Sequence, residues 1–113
     1  MREPLRDSER LKHIQTAINN LVNNSSKYSL EELLADPIAY YGFVKLVEII
    51  GEATYKLTKE YRADHPEVPW DVMEKMRHIL VHDYYSINPE QLWDTVRIDI
   101  PEIKPLIDSL IDE

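Results

Sequence analysis

Apolar residues recur at helical spacing along almost the whole chain. In "DSERLKHIQTAINNLVNN", Leu11, Ile14, Ala17, Ile18, Leu21 and Val22 follow one another mostly three and four apart, which lines one face of a helix. Asp7 or Ser8 stands where a cap is needed. "SLEELLAD" places Glu32 three residues after Ser29, a capping box that opens a short second helix. Asp36 followed by Pro37 then starts a long third helix, which the spacing carries on for about seven turns until "ADHPEVP" stops it. A fourth helix is predicted from Trp70 or Asp71, and a fifth from Asn88 and Pro89 that carries Leu92, Trp93 and Val96. Asp99 with Pro101 restarts a last helical segment, "PEIKPLIDSLIDE". No alternating strand pattern interrupts this series, so residues 1–113 are predicted to form one all-α domain, a bundle of about five to six helices.

The long helix carries two apolar stripes. Advancing about 100° per residue from Ile38, the residues Ile38, Leu46, Ile49, Ile50, Ala53 and Leu57 fall within one arc, the expected core face. Val44, Val47, Gly51 and Tyr55 form a second stripe outside it. A mid-helix glycine costs about 1 kcal/mol relative to Ala, and such a glycine marks a place where another backbone comes close. The second stripe is therefore expected to be the seam of a homodimer; the alternative is a helix central to one subunit and buried within it.

Composition narrows the class. With 43% hydrophobic residues in 113, the chain has enough apolar surface for one core, although 30% of it is charged. It contains no Cys, which removes disulfides and thiolate nucleophiles. The start, "MREPLRDSERLK", is charged from its second residue and has no apolar run like that of a signal peptide, and no segment reaches the roughly 20 apolar residues of a membrane span. A soluble, cytoplasmic protein without a membrane partner is the expectation. The net charge of −8 argues against a protein held on nucleic acid mainly by neutralising phosphates. Any contact with RNA must then be local, and acidity suits a basic protein partner equally well.

The densest chemistry lies in "MRHILVHDYY", residues 76–85. In a regular helix Val72, Met73, Met76, Ile79 and Leu80 share the core face, whereas Arg77, His78, Val81 and His82 point away from it. Asp83 would fall in the middle of that core face, where an unpaired carboxylate is costly, so the helix is predicted to end near His82, with Tyr84 and Tyr85 on a turn. Arg77 and His82 would lie about 140° apart on a regular helix. They work together only if the helix frays at His82 or a two-fold partner contributes its own copy.

The spacing Arg77, four residues, His82, one residue, Tyr84 resembles the Arg-x4-His-x-Tyr motif of the HEPN superfamily, in particular its HepT-like ribonuclease toxins. The likeness extends through "LVEIIGEATYKLTKEYRADHPEVPWDVMEKMRHILVHDYYSINPEQLWDTV", with a Glu-Ile-Ile-Gly-Glu-Ala helix, a Pro-x-x-Pro-Trp break, the motif helix and a closing Trp-Asp helix in the family's order. The resemblance implies a metal-independent endoribonuclease acting on tRNA or messenger RNA, as a homodimer with both motifs in one interfacial cleft. It implies a partner as well, a minimal nucleotidyltransferase antitoxin that silences the toxin by transferring AMP to the motif tyrosine, here Tyr84. Two positions depart from the pattern: His78 stands where relatives often have Asn or Asp, and Asp83 where they often have Gly.

Side-chain chemistry is compatible with those roles. Metal-free RNA cleavage needs a group to take the ribose 2′-hydroxyl proton and a cation to stabilise the charge that develops on the phosphate. His82, with an ordinary imidazole, suits the first task or the protonation of the leaving oxygen. Arg77, always charged and forked, suits the second. Asp83 and His78 are supporting candidates, the one to orient a histidine, the other to replace the relatives' amide. No cofactor is called for. His78 and His82 also have the spacing of metal ligands, but with His13 and His65 elsewhere and no Cys, two ligands do not make a site. Glu48 and Glu52 read as a solvated face paired with Lys45 and Lys56. The rival to a nuclease is a non-catalytic helical subunit that presents nucleotide or substrate to a nucleotidyltransferase, using the same motif for binding alone.

Overall fold

The computed structural model describes residues 4–80 and 87–111, and the described residues contain helices and no strand. Pro4–Ser25 forms α1, with Leu11, Ile14, Ala17, Ile18 and Leu21 buried as the spacing predicts. Asp7 is not its cap. The helix begins before it, and the buried Asp7 carboxylate instead accepts hydrogen bonds from Thr58 N (3.0 Å) and Thr58 Oγ1 (2.7 Å). Leu30–Leu34 forms α2 with both bonds of its capping box present: Glu32 N donates to Ser29 Oγ (3.1 Å) and Ser29 N to Glu32 Oε1 (2.8 Å).

The long helix is shorter than its apolar pattern. Pro37–Lys56 forms α3, capped by Asp36, and Lys59–Asp64 forms a separate α4. The break has a local cause and a distant one. Thr58 takes extended backbone angles and caps α4 by accepting from Tyr61 N (3.2 Å). Asp7, 51 residues away in sequence, claims the Thr58 N–H that a continuous helix would have used internally.

Both stripes of α3 contribute to the core, and Ile50, Ala53 and Leu57 are buried on the face where the spacing puts them. Val44 and Val47 are fully buried and Gly51 is buried, whereas Ile38, expected in the core, is 87% exposed and Leu46 and Ile49 are only partly covered. Two neighbours cause this: α1 packs along one side of α3, and the segment after α4 packs along another. Val44, Val47 and Gly51 of the second stripe are covered within one chain. The seam expected at Val44, Val47 and Gly51 is thus corrected to interior wall, and Tyr55, 48% exposed, is the one member left at the surface.

Trp70–Lys75 forms α5, only six residues long, and the backbone tightens into a 3-10 turn at Met76–Leu80 instead of continuing as a regular helix to His82. Trp70 is buried and donates from Nε1 to His65 O (2.9 Å), which ties the "ADHPEVP" break to the start of α5. The last segment is continuous where a restart was expected. Pro89–Asp94 forms α6, a π turn spans Thr95–Asp99, and Ile100–Ile111 forms α7. Within this stretch Pro101 and Pro105 have no N–H to donate, and the wider Ile100 N–H to Thr95 O bond carries the chain past that gap. On α7, Ile100, Ile103, Ile107 and Leu110 close the core against α1. Among the described residues no helix is long and apolar enough to cross a membrane.

Candidate active site

Arg77 is the second residue of the 3-10 turn, and its place is set by Gly51. A Cβ at position 51 would collide with Arg77 N and would come within 2.7 Å of both Arg77 Cα and the Met76 carbonyl carbon. The close backbone approach expected at this glycine is real, but the other backbone belongs to the same chain. Only a residue without a side chain lets the turn sit this near α3. Met73 and Met76, both buried just before Arg77 in sequence, anchor the turn in the core.

From this backbone the Arg77 side chain runs along the outer face of α3. Its Nε–H donates to Glu52 Oε1 (3.3 Å), and its guanidinium carbon lies 3.9 Å from the centre of the Tyr55 ring. Glu52 and Tyr55 are three apart on one helix, so they stand as neighbours with the guanidinium held across both. Neither contact is a large source of stability. The Arg77 side chain is 27% exposed and that of Glu52 47%, a setting in which an ion pair is worth about 0 to 1 kcal/mol and a cation–π contact about 0.5 to 1 kcal/mol. What the two contacts fix is direction. Nε and one ring face are used, which leaves the Nη1–Nη2 edge outside this ion pair.

The remaining charges on α3 follow the expected pairing, and Glu52 also serves Arg77. Lys45 Nζ meets Glu48 Oε1 at 3.1 Å. Lys56 Nζ lies 4.0 Å from Glu52 Oε2, so one carboxylate stands between Lys56 and Arg77. The sequence reading assigned Glu52 to a solvated face and Tyr55 to a subunit seam, and so missed that both serve Arg77. The signal was Gly51: if a second backbone lies there, the flanking residues 52 and 55 are placed to touch whatever that backbone carries.

His78, the next residue, is exposed on the same turn. His82, Asp83 and Tyr84 lie outside the described residues, so the structure brings Arg77 together with Glu52 and Tyr55 and says nothing of the other motif positions. Val44 and Val47 are core residues of α3 and take no part in the site.

Comparison with known proteins extends this picture over most of the chain. Residues 14–110 match the family model described as "Ribonuclease HepT-like". A protein named "Putative RNase" from Caldanaerobacter subterraneus subsp. tengcongensis is 34% identical over 103 residues, covering 91% of this chain and 92% of the relative. "Probable ribonuclease HepT" from Thermococcus cleftensis is 33% identical over 100 residues, covering 88% and 91%. A further "Putative RNase", from Methanocaldococcus jannaschii, is 30% identical over 96 residues, covering 85% and 79%. No solved structure gives a significant match. A model match that takes in α3, Gly51 and the Arg77 turn, together with relatives of nearly the same length, means that this chain belongs to the HepT-like ribonuclease family.

Proposed function

We propose that the chain is a metal-independent endoribonuclease and the toxin of a toxin–antitoxin pair, with Arg77 and His82 as its catalytic residues. The observation that carries this reading is the held guanidinium of Arg77, partly exposed on a turn inside the matched region. A phosphate clamp needs a permanent charge fixed in direction before substrate arrives, because reorganisation at the moment of reaction would cost rate.

The chemistry divides between two side chains. One His82 imidazole takes the proton from a ribose 2′-hydroxyl, the 2′-oxygen forms a bond to the adjacent phosphorus, and the bond from phosphorus to the 5′-oxygen breaks. In a two-fold assembly the second copy of His82 returns a proton to that leaving oxygen. Arg77 stabilises the negative charge on the phosphoryl oxygens between the two steps, with an acid–base contribution of about a hundred- to ten-thousandfold from the histidine. His78 and Asp83, next in sequence to Arg77 and His82, are the supporting groups.

Control is exerted at Tyr84. A minimal nucleotidyltransferase partner lets the Tyr84 hydroxyl attack the α-phosphorus of ATP, which joins AMP to the oxygen and releases pyrophosphate. The added phosphate brings negative charge to the motif and would compete with RNA for its cation. Coexpression with such a partner, followed by intact mass and fragmentation of residues 76–85, tests this arm. The expected result is an adenylate increment on Tyr84, with RNA cleavage only in the unmodified chain; unmodified protein in both samples, without cleavage, would favour a non-catalytic subunit that presents substrate to the nucleotidyltransferase.

A further inference from the structure

We infer that Glu52 and Tyr55 are positioning residues for Arg77, and that together they set the direction in which its two-nitrogen edge meets a phosphate. The inference rests on the reading of Arg77 as the phosphate clamp. Three observations support it independently of that reading. Gly51 admits the Arg77 backbone against α3 and fixes where the side chain starts. Glu52 accepts from Nε, the nitrogen nearest the backbone, and so stops rotation at the root of the guanidinium. Tyr55 covers one face of the plane, which selects the plane's tilt. An arginine at a surface this exposed would otherwise sample several rotamers, and the ordering of a long side chain is a cost that these contacts meet before substrate binds.

The arrangement also accounts for the negative charge of Glu52 at this position. A carboxylate beside a phosphate clamp weakens the clamp by Coulomb attraction to the same cation. Glu52 is tolerable there because it engages Nε and is itself shared with Lys56, 4.0 Å from its other oxygen. The side chain thus orients Arg77 without occupying the Nη1–Nη2 edge that a phosphate's oxygens would take.

The test is single-turnover and steady-state RNA cleavage by the full chain, compared across conservative and truncating variants. Glu52→Gln keeps an acceptor oxygen for Nε–H and Tyr55→Phe keeps the ring; both are expected to stay within about threefold of the parent. Glu52→Ala and Tyr55→Leu are expected to lower kcat by about ten- to a hundredfold with KM within about threefold, the pattern of a misdirected group and not of lost binding. In an Arg77→Lys background, which lacks both the Nε–H and the planar face, Glu52→Ala should add less than about twofold, because its effect passes through Arg77. Parent-like kcat in Glu52→Ala and Tyr55→Leu, with cleavage abolished in Arg77→Ala, would overturn the inference and leave the clamp standing. Equal losses in the conservative and truncating variants would overturn it as well. Undiminished cleavage in Arg77→Ala would remove the clamp itself, and the inference with it.

Discussion

At the scale of single residues, two aspartates near α7 show how environment gives one side-chain type opposite pH behaviour. Asp108 accepts from Lys104 Nζ (2.8 Å) and Gln15 Nε2 (2.9 Å), and these hydrogen bonds hold its carboxyl below the usual range. Its folded pKa being depressed, it contributes stability that is present above the unfolded value and lost as pH falls through the folded one. Asp99 goes the other way: burial pushes its carboxyl up, and Glu102 and Asp94 add to the rise. Its ionised form is the disfavoured one in the fold, so it costs stability at neutral pH and that cost disappears as pH falls through its raised value. Chemical denaturation between about pH 3 and 7 should therefore show Asp99→Asn gaining over the parent near neutrality with the gain fading toward acid, whereas Asp108→Asn loses near neutrality and converges with the parent in acid. Parallel pH profiles for all three proteins would contradict the assignment.

Elements depend on signals of different reach, and this decides what the sequence reveals of them. Ser29 with Glu32, Asp36 with Pro37 and Asn88 with Pro89 begin helices through bonds within three residues, and each start is where the sequence puts it. The end of α3 was not legible, because the Thr58 N–H is taken by Asp7 on another helix. Nor could periodicity tell which stripe of α3 faces inward, since it counts apolar positions and not the neighbours that cover them; here α1 and the α5 turn cover both sides. The site divides in the same way. Arg77 and His82 could be picked out from their spacing and its family resemblance, while Glu52 and Tyr55 become partners of Arg77 only once the turn docks on Gly51. Two outcomes follow for these elements. Thr58→Ala removes the α4 cap and should cost about 1 kcal/mol in urea unfolding, with cleavage retained in native buffer. Gly51→Ala should cost about 1 to 3 kcal/mol by overpacking and should also abolish RNA cleavage in whatever fraction remains folded, since the Arg77 backbone has to move. A Gly51→Ala chain with unchanged stability would show that the turn is not held there.

The whole molecule sets an unusual electrostatic condition for a nuclease. A chain of net charge −8 has little overall attraction for RNA phosphates, so the account confines substrate contact to a few of them. If the proposed dimer presents one Arg77 from each subunit as its principal clamps, the apparent affinity for single-stranded RNA should fall only about sevenfold between 50 and 200 mM salt, against losses of a thousandfold or more for proteins that neutralise many phosphates. A steep salt dependence would point to a basic surface outside the one described. The proposed dimer would have to be built from surface that remains available after folding. Val44 and Val47 are spent on the core, whereas Tyr55 and Val72 stay about half exposed, so a Val72→Asp chain sedimenting as a monomer, with cleavage lost, is the expected result for a face near the Arg77 turn. A dimer undisturbed by that change would place the contact elsewhere.

The central claim, that an oriented arginine and a histidine cleave RNA without a metal, is tested most directly by one measurement. Purified parent chain, Arg77→Ala and His82→Ala are each incubated with a labelled tRNA and messenger RNA pool in excess EDTA, and the new 5′ and 3′ ends are mapped. The account predicts cleavage by the parent, with 5′-hydroxyl and 2′,3′-cyclic phosphate ends, and a loss of about a hundredfold or more in either variant. Cleavage that stops in EDTA, or that continues in both variants, would contradict it.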